Sequence, residues 1–177
     1  MNRQRMFIAV ASLSAMLIPV IALPANARAA SDHASAADNV TTKNSPSENS
    51  FAKRWIAAWN SHDPDKMLPL FSDDILYEDV AYGEISHGQA EVRKFAADEF
   101  EAVPDLELKL LRASFSNNHA TIEWSFSGTD KGIYKTGKKF TVRGVSVIDL
   151  RGGKIVRNLD FYDSAAIMRQ VGVLPAQ

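Results

Sequence analysis

Apolar side chains recur at every second position through much of the chain after Leu106, and that spacing confines the C-terminal half to extended strands. Leu106, Leu108 and Leu110 alternate with Glu107 and Lys109, and Ile122, Trp124 and Phe126 alternate with Glu123, Ser125 and Ser127. A period of two gives a strand one apolar face, whereas a helix repeats every 3.6 residues. Asn117-Asn118 supplies a hairpin turn between the two runs. Beyond a loop around Lys131 to Lys139, the pattern predicts a strand from Phe140 to Leu150, a tight turn at Arg151-Gly152-Gly153, and a last strand from Lys154 to Tyr162. Ser164 to Val171 reads as a short closing helix, capped by Asp163.

Before Leu106 the period lengthens. Ser45-Pro46-Ser47-Glu48 has the form of a capping box with Pro at the first helical position. The helix it opens carries Phe51, Trp55, Ile56 and Trp59 on one face. Asp63-Pro64 opens a second, short helix presenting Met67, Leu68, Leu70 and Phe71, and Ser72-Asp73-Asp74 breaks it before a strand from Ile75 to Asp79. Gly88 precedes a third helix, with Val92, Phe95, Ala96 and Phe100 as its stripe. Helices followed by a meander define an α+β class. The expected architecture is a curved antiparallel sheet wrapped by three N-terminal helices around a conical pocket, a cystatin-like α+β roll.

The ends carry different information. Arg3 and Arg5 precede an apolar run from Met6 to Leu23, followed by the small-x-small triplets Ala25-Asn26-Ala27 and Ala27-Arg28-Ala29. This is the pattern of a cleaved export signal over residues 1–29. Ser12, Ser14 and Pro19 weaken the same run as a membrane span, so no stable membrane insertion is expected after cleavage. Residues 30–49 are small and polar, a composition that cannot offset its own ordering entropy, and read as a flexible linker. Residues 50–177 then form the folded domain, and the expected location is periplasmic or secreted. With no cysteine, a disulfide framework is excluded. Removing Arg3 and Arg5 from 20 basic residues set against 21 acidic ones leaves a slightly acidic chain with no basic stripe, so nucleic acid is not an expected partner.

Arg54-Trp55-Ile56-Ala57-Ala58-Trp59-Asn60, Leu70-Phe71-Ser72-Asp73-Asp74, Tyr77-Glu78-Asp79 and the later Gly88 together resemble the nuclear transport factor 2-like superfamily. Glu78-Asp79 and Gly88 are most similar to bacterial ketosteroid isomerases. The C-terminal run from Gly153 to Asp163, with Met168 to Gly172, resembles SnoaL-like polyketide cyclases and limonene-epoxide hydrolases. The resemblance implies that Asp79 stands where the isomerases keep a general base, and Asp160 where the cyclases and epoxide hydrolases keep a catalytic aspartate. It also implies departures. Trp55 replaces an oxyanion-holding tyrosine, Ser146 lies near a protonated aspartic acid of the isomerases and replaces a pocket histidine of the cyclases, and Trp124 and Phe126 replace an arginine and an aspartate of the epoxide hydrolases.

The residues themselves leave two placements open for Asp160. On a strictly alternating last strand, Val156, Asn158, Asp160 and Tyr162 share one face, and Ile155, Leu159 and Phe161 share the other. If the first face lines a pocket walled by Trp124, Phe126 and Tyr162, burial raises the carboxyl pKa toward a range useful for proton transfer. Otherwise Asp160 is a solvated group paired with Arg143 or Arg157. Asp79 is either a turn-forming strand end or a second pocket carboxylate, and two carboxylates in one cavity titrate as a pair. Tyr77, on the strand face of Asp79, is a substrate-orienting hydroxyl or a core aromatic. Trp55 and Trp59 are core residues first and a lid over an apolar ligand second.

No histidine pair at i, i+4 and no carboxylate–histidine cluster supports a metal, and no cofactor is expected. The opposite face of the last strand, with Val145 and Val147, is apolar enough to predict a homodimer. Two functions follow. One is cofactor-free acid–base catalysis of isomerase, cyclase or lyase type on a small hydrophobic carbonyl or polyketide-like compound. Asp160 moves the proton, Asp79 assists, Tyr77 and Ser146 hold an oxyanion, and Trp55, Trp59, Trp124, Phe126 and Tyr162 bind substrate. The other is a non-catalytic protein that binds a small hydrophobic ligand in the same pocket.

Overall fold

A computed structural model describes residues 46–176, with side chains from Ser50. The expected export signal, Ser45 and residues 30–45 of the expected linker lie outside the described residues, but residues 46–49, also expected as linker, form the first turn of helix α1 (Pro46–Asn60), a correction to that boundary. α1 turns Phe51, Ala52, Trp55, Ala58 and Trp59 inward and leaves Lys53, Arg54 and Ala57 exposed, as its helical spacing requires. Phe51 meets Phe115 edge-on at 5.9 Å, seating the start of the helix on the sheet.

The expected second helix is two 3₁₀ turns, Pro64–Lys66 and Leu68–Leu70. Asp63 caps the first through a bond from the Asp65 N–H at 3.0 Å. Pro69 lacks the N–H that a continuing α-helix needs, so the segment tightens into short turns. Strand β1 (Phe71–Asp79) starts earlier than expected. Ser72-Asp73-Asp74 does not end an element; it bulges the strand, and pairing with the neighbouring strand jumps from Phe71 to Leu76. Strand β2 (Glu84–His87) is too short and too polar to show in the sequence pattern. Helix α2 (Gly88–Ala102) follows, and buries Val92, Phe95 and Ala96.

Strands β3 (Glu107–Ser116), β4 (His119–Thr129), β5 (Lys139–Arg151) and β6 (Lys154–Tyr162) and helix α3 (Ser164–Val171) follow the predicted boundaries closely. The six strands form one sheet in the order β2-β1-β6-β5-β4-β3. Four of its pairings are antiparallel, but β1 and β6 run parallel, a correction to the expected wholly antiparallel sheet. The helix-first order explains it: the chain leaves β1 through β2 and α2, builds the meander, and returns β6 alongside β1.

β6 also departs from strict alternation. Leu150 pairs with Ile155 but Asp149 pairs with Arg157, so Val156 is an extra residue in the strand. The bulge lets Ile155 and Asn158, three apart, both be fully buried, and it moves Ile155 from the expected outer face into the core. Asp160 keeps the inward side.

Two amide side chains finish strand edges that lack a neighbour. β3 lies at the sheet edge, where the Asn60 side chain donates to the Leu108 carbonyl at 2.8 Å and accepts from the Leu108 N–H at 2.7 Å. Pairing of β5 with β6 stops at Gly144, and beyond it Gln170 of α3 makes the same double bond with Thr141 at 2.8 and 2.9 Å. Both replace a missing strand and dock a helix. Asn60→Ala leaves two partly buried backbone groups unpaired and should cost about 1–3 kcal/mol. Gln170→Ala, at a site reached by water, should cost under about 1 kcal/mol. Urea midpoints of the two variants against the parent check the order.

Candidate active site

β1 and β6 bring the two acidic candidates together. Their parallel register sets Asp79 opposite Asp160, Glu78 opposite Leu159 and Tyr77 opposite Asn158. Asp79 and Asp160 both lie on the wall of a cleft that opens to solvent and has a cavity volume of about 40 Å³. Both are nearly out of water, at 5% and 8% exposure, so Asp160 is not the solvated surface group that alternation alone left open. Trp55 and Trp59 of α1 form one side of the cleft, and Trp124, Phe126 and Tyr162 of the sheet form the other. The Trp55 and Trp59 rings are 6.2 Å apart, and those of Trp124 and Tyr162 are 5.9 Å apart.

The two carboxylates are held differently. Asp160 Oδ1 accepts from Ser146 Oγ at 2.5 Å and from Asn158 Nδ2 at 2.8 Å, while Oδ2 accepts from the Tyr77 hydroxyl. Trp124 Nε1 donates to Ser146 Oγ at 2.9 Å, so the single Ser146 proton points to Asp160. Asp79 has fewer donors: the Tyr162 hydroxyl to Oδ2 at 2.7 Å, and the Tyr82 N–H to Oδ1 at 3.3 Å.

Burial pushes the Asp160 carboxyl up, and the Ser146, Tyr77 and Asn158 donors pull it back. Burial also lifts Asp79; the Tyr162 bond opposes the rise and the charge of Asp160 adds to it, leaving Asp79 at about 6. Desolvation together with the negative charge of Asp160 keeps Tyr77 far above the usual phenol range. Tyr162 and Tyr82 are likewise raised by burial, Tyr162 also by Asp79. All three phenols therefore remain donors at neutral pH. Asp79 titrates at about 6, beside a second carboxyl that burial also raises against its three donors.

Of the sequence candidates, Asp79, Asp160, Trp55, Trp59, Trp124, Phe126 and Tyr162 stand on the cleft wall. Tyr77 and Ser146 do not; they are buried behind Asp160 and spend their protons on it. Sequence reasoning passed over Phe95, Leu106 and Leu108 as cleft residues, and above all Glu99, a third carboxylate on the wall. Glu99 had a usable signal. It falls four residues after Phe95 and three after Ala96, a charged residue on the apolar stripe of α2. Among the described residues, no three His, Cys, Asp or Glu side chains group as metal ligands.

This chain belongs to the SnoaL-like domain family, whose profile matches residues 52–158. It is 31% identical over 111 residues to the cyclase AurE of Calcarisporium arbuscula, covering 61% of this chain and 81% of that one. The ketosteroid isomerase-like fold is shared with a Catenulispora acidiphila protein determined in complex with trimethylamine, at a TM-score of 0.65 and 25% identity over 69% of this chain and 92% of that one. TsrD from Streptomyces laurentii has the same fold at a TM-score of 0.65 and 21% identity, over 75% of this chain and the whole of that one.

The Asp79 shift has a stability consequence with a definite sign. Its folded pKa of about 6 exceeds the ordinary 3.8, so its contribution is fully present below about pH 4 and lost as pH rises through 6. Asp79→Asn removes that loss. The variant should gain on the parent protein between pH 4.5 and 7.5, by up to roughly 2 kcal/mol. Urea unfolding at the two pH values measures the gain; a constant difference would refute the buried, titrating Asp79.

Proposed function

We propose that this protein is a cofactor-free acid–base catalyst of cyclase or isomerase type, acting on a small, mostly apolar carbonyl compound. The observation that carries the reading is the pair of adjacent carboxylates under unequal hydrogen bonding. Neighbouring carboxylates with separated pKa values supply a proton acceptor and a fixed charge in one site. Sequence reasoning gave the proton to Asp160; the bonding favours Asp79. Asp160 is raised by burial against three donors that favour its charge, whereas Asp79 has fewer donors and titrates at about 6, near the working pH, where a general base is most effective.

In the proposed step, ionised Asp79 removes a proton from the carbon beside the substrate carbonyl, and the carbon–hydrogen electron pair becomes that of an enolate. Returning the proton to another carbon completes an isomerisation; attack by the enolate carbon on a second carbonyl forms a ring. The enolate oxygen needs donors, and Tyr77 and Ser146 are committed to Asp160. Trp55 Nε1 and Trp59 Nε1 are not: both are buried on cleft residues and have no acceptor in the protein. A buried donor without a partner is costly, and a substrate oxygen would satisfy it.

The second reading is a binding module of the same fold. The commitment of Tyr77 and Ser146 favours it, since neither is available to a ligand, and the Catenulispora acidiphila relative has a small amine bound. Two further features belong to the proposal. Arg3, Arg5 and the apolar run to Leu23 support export with residues 1–29 removed, followed by a tether that ends where α1 begins at Pro46. Phe161, 41% exposed beside Val145, supports a homodimer through the outer sheet face. Intact mass of the exported protein and light scattering of Phe161→Lys read these two.

Deuterium uptake at the α-carbon of a ketone panel in D2O, followed by NMR, tests the chemistry without presupposing the product. Asp79→Asn should lower the exchange rate by about 10²–10⁴. Asp160→Asn should retain exchange, and its acid limb should move below the parent value near 6, because the charge that raises Asp79 is gone. Loss of exchange in Asp160→Asn with full rate in Asp79→Asn would reverse the roles. No uptake in the parent protein on any ketone would leave the binding module.

A further inference from the structure

The cleft wall is chemically one-sided. Its charged side chains are Asp79, Asp160 and Glu99, and no lysine, arginine or histidine stands among its lining residues. The remaining surface is mainly aromatic. Trp59 lies 6.2 Å from Trp55 and meets Phe95 edge-on at 6.3 Å, while Trp124 and Tyr162 face the cleft from the sheet. Aromatic faces carry negative charge density and attract alkylated ammonium groups, which shed water more readily than a bare ammonium.

A neutral apolar occupant would strip the remaining water from three carboxylates and return nothing for it. An anion would meet them directly. A cation offsets the charge and gains the ring faces. The charge alone would also suit a metal, but the described residues hold no cluster with ligand grouping. The indole N–H groups of Trp55 and Trp59 are buried without acceptors on residues that line the cleft, so a turn of either ring would offer a donor to an oxygen on the occupant.

We propose that the cleft takes a small tertiary or quaternary ammonium compound that also carries a carbonyl, an amino ketone by class, with the cation between the rings and carboxylates and the oxygen toward the indole donors. This rests on the acid–base reading for the carbonyl, and on the cleft itself for the cation. A positive group near Asp79 would also favour its ionised, proton-accepting form.

The test compares (2-oxopropyl)trimethylammonium with 4,4-dimethylpentan-2-one, which have the same shape and ketone and differ in charge. Calorimetric titration of the full-length protein at pH 7.5 and low salt should give at least ten-fold tighter binding of the cation, about 1.4 kcal/mol. Equal affinities, or a preference for the neutral ketone, would overturn the proposal. Ammonium chloride at the same concentration should not compete; if it does, the rings are not recognising the alkyl groups and the proposal falls.

The preference should shrink at pH 5, where Asp79 is protonated among Asp160 and Tyr162 of β6, Tyr82 of the β1–β2 turn, Glu84 of β2 and Glu99 of α2. It should shrink in the same way at pH 7.5 in Asp79→Asn. A preference unchanged in both would place the cation elsewhere and overturn the assignment. Ketone exchange without cation preference would remove only this inference. Cation binding without exchange on any ketone would remove the catalytic reading and leave an ammonium site.

Discussion

The parallel register of β1 and β6 is the constraint on which the site depends. It seats two aspartates directly opposite one another on neighbouring strands, an arrangement that destabilises a sheet when both are charged. Burial makes the juxtaposition worse, since low dielectric strengthens repulsion and removes hydration together. The fold tolerates it through five donors: Tyr77, Ser146 and Asn158 on Asp160, and Tyr162 and the Tyr82 N–H on Asp79. Burial raises both carboxyls, and the donors, three on Asp160 and two on Asp79, oppose that rise. Perturbed groups of this kind concentrate where proton transfer is done, because stability is given up for a reactive pKa.

The scaffold behind Asp160 is equally specific. Trp124 crosses Gly144 on the neighbouring strand, where an added Cβ would fall 2.2 Å from the ring. Glycine there lets the indole lie against the sheet and reach Ser146, whose hydroxyl donates a hydrogen bond to Asp160. One aromatic side chain thus walls the cleft and, through a serine, directs a hydrogen bond to the carboxyl beside it. Ser146 is no independent substrate ligand in this arrangement; it relays the orientation of Trp124.

Much of this was legible in the sequence, and the limits were physical. Period-two alternation placed β3 to β6, and the Gly152-Gly153 turn and Asp163 cap fixed the ends of β6 and the start of α3. Those signals are local, set by side chains within a few residues. The parallel β1–β6 pair was not legible, because pairing direction depends on where a distant strand returns. The Val156 bulge was hidden for the same reason: an extra residue leaves composition unchanged but shifts Ile155 from the outer face to the core. Trp55, Trp59, Trp124 and Phe126 fell on the cleft because large apolar side chains on the inward faces of facing elements must meet. Tyr77 and Ser146 were displaced because their hydroxyls found Asp160, a contact 83 residues away for one and 14 for the other.

Donor accounting then separates what the pocket can hold from what it can transform. Every hydroxyl hydrogen-bonded to the two aspartates is spent on a carboxylate, so an incoming oxygen must find donors on the other wall. Trp55 and Trp59 are the cleft residues with buried N–H groups left without acceptors, and they come from α1, across the cleft from β1 and β6. Under the proposed chemistry, a substrate spanning the cleft would turn its oxygen toward the helix and its acidic carbon toward the sheet. That proposed polarity rests on two strands pairing in parallel and on one helix carrying two tryptophans a turn apart.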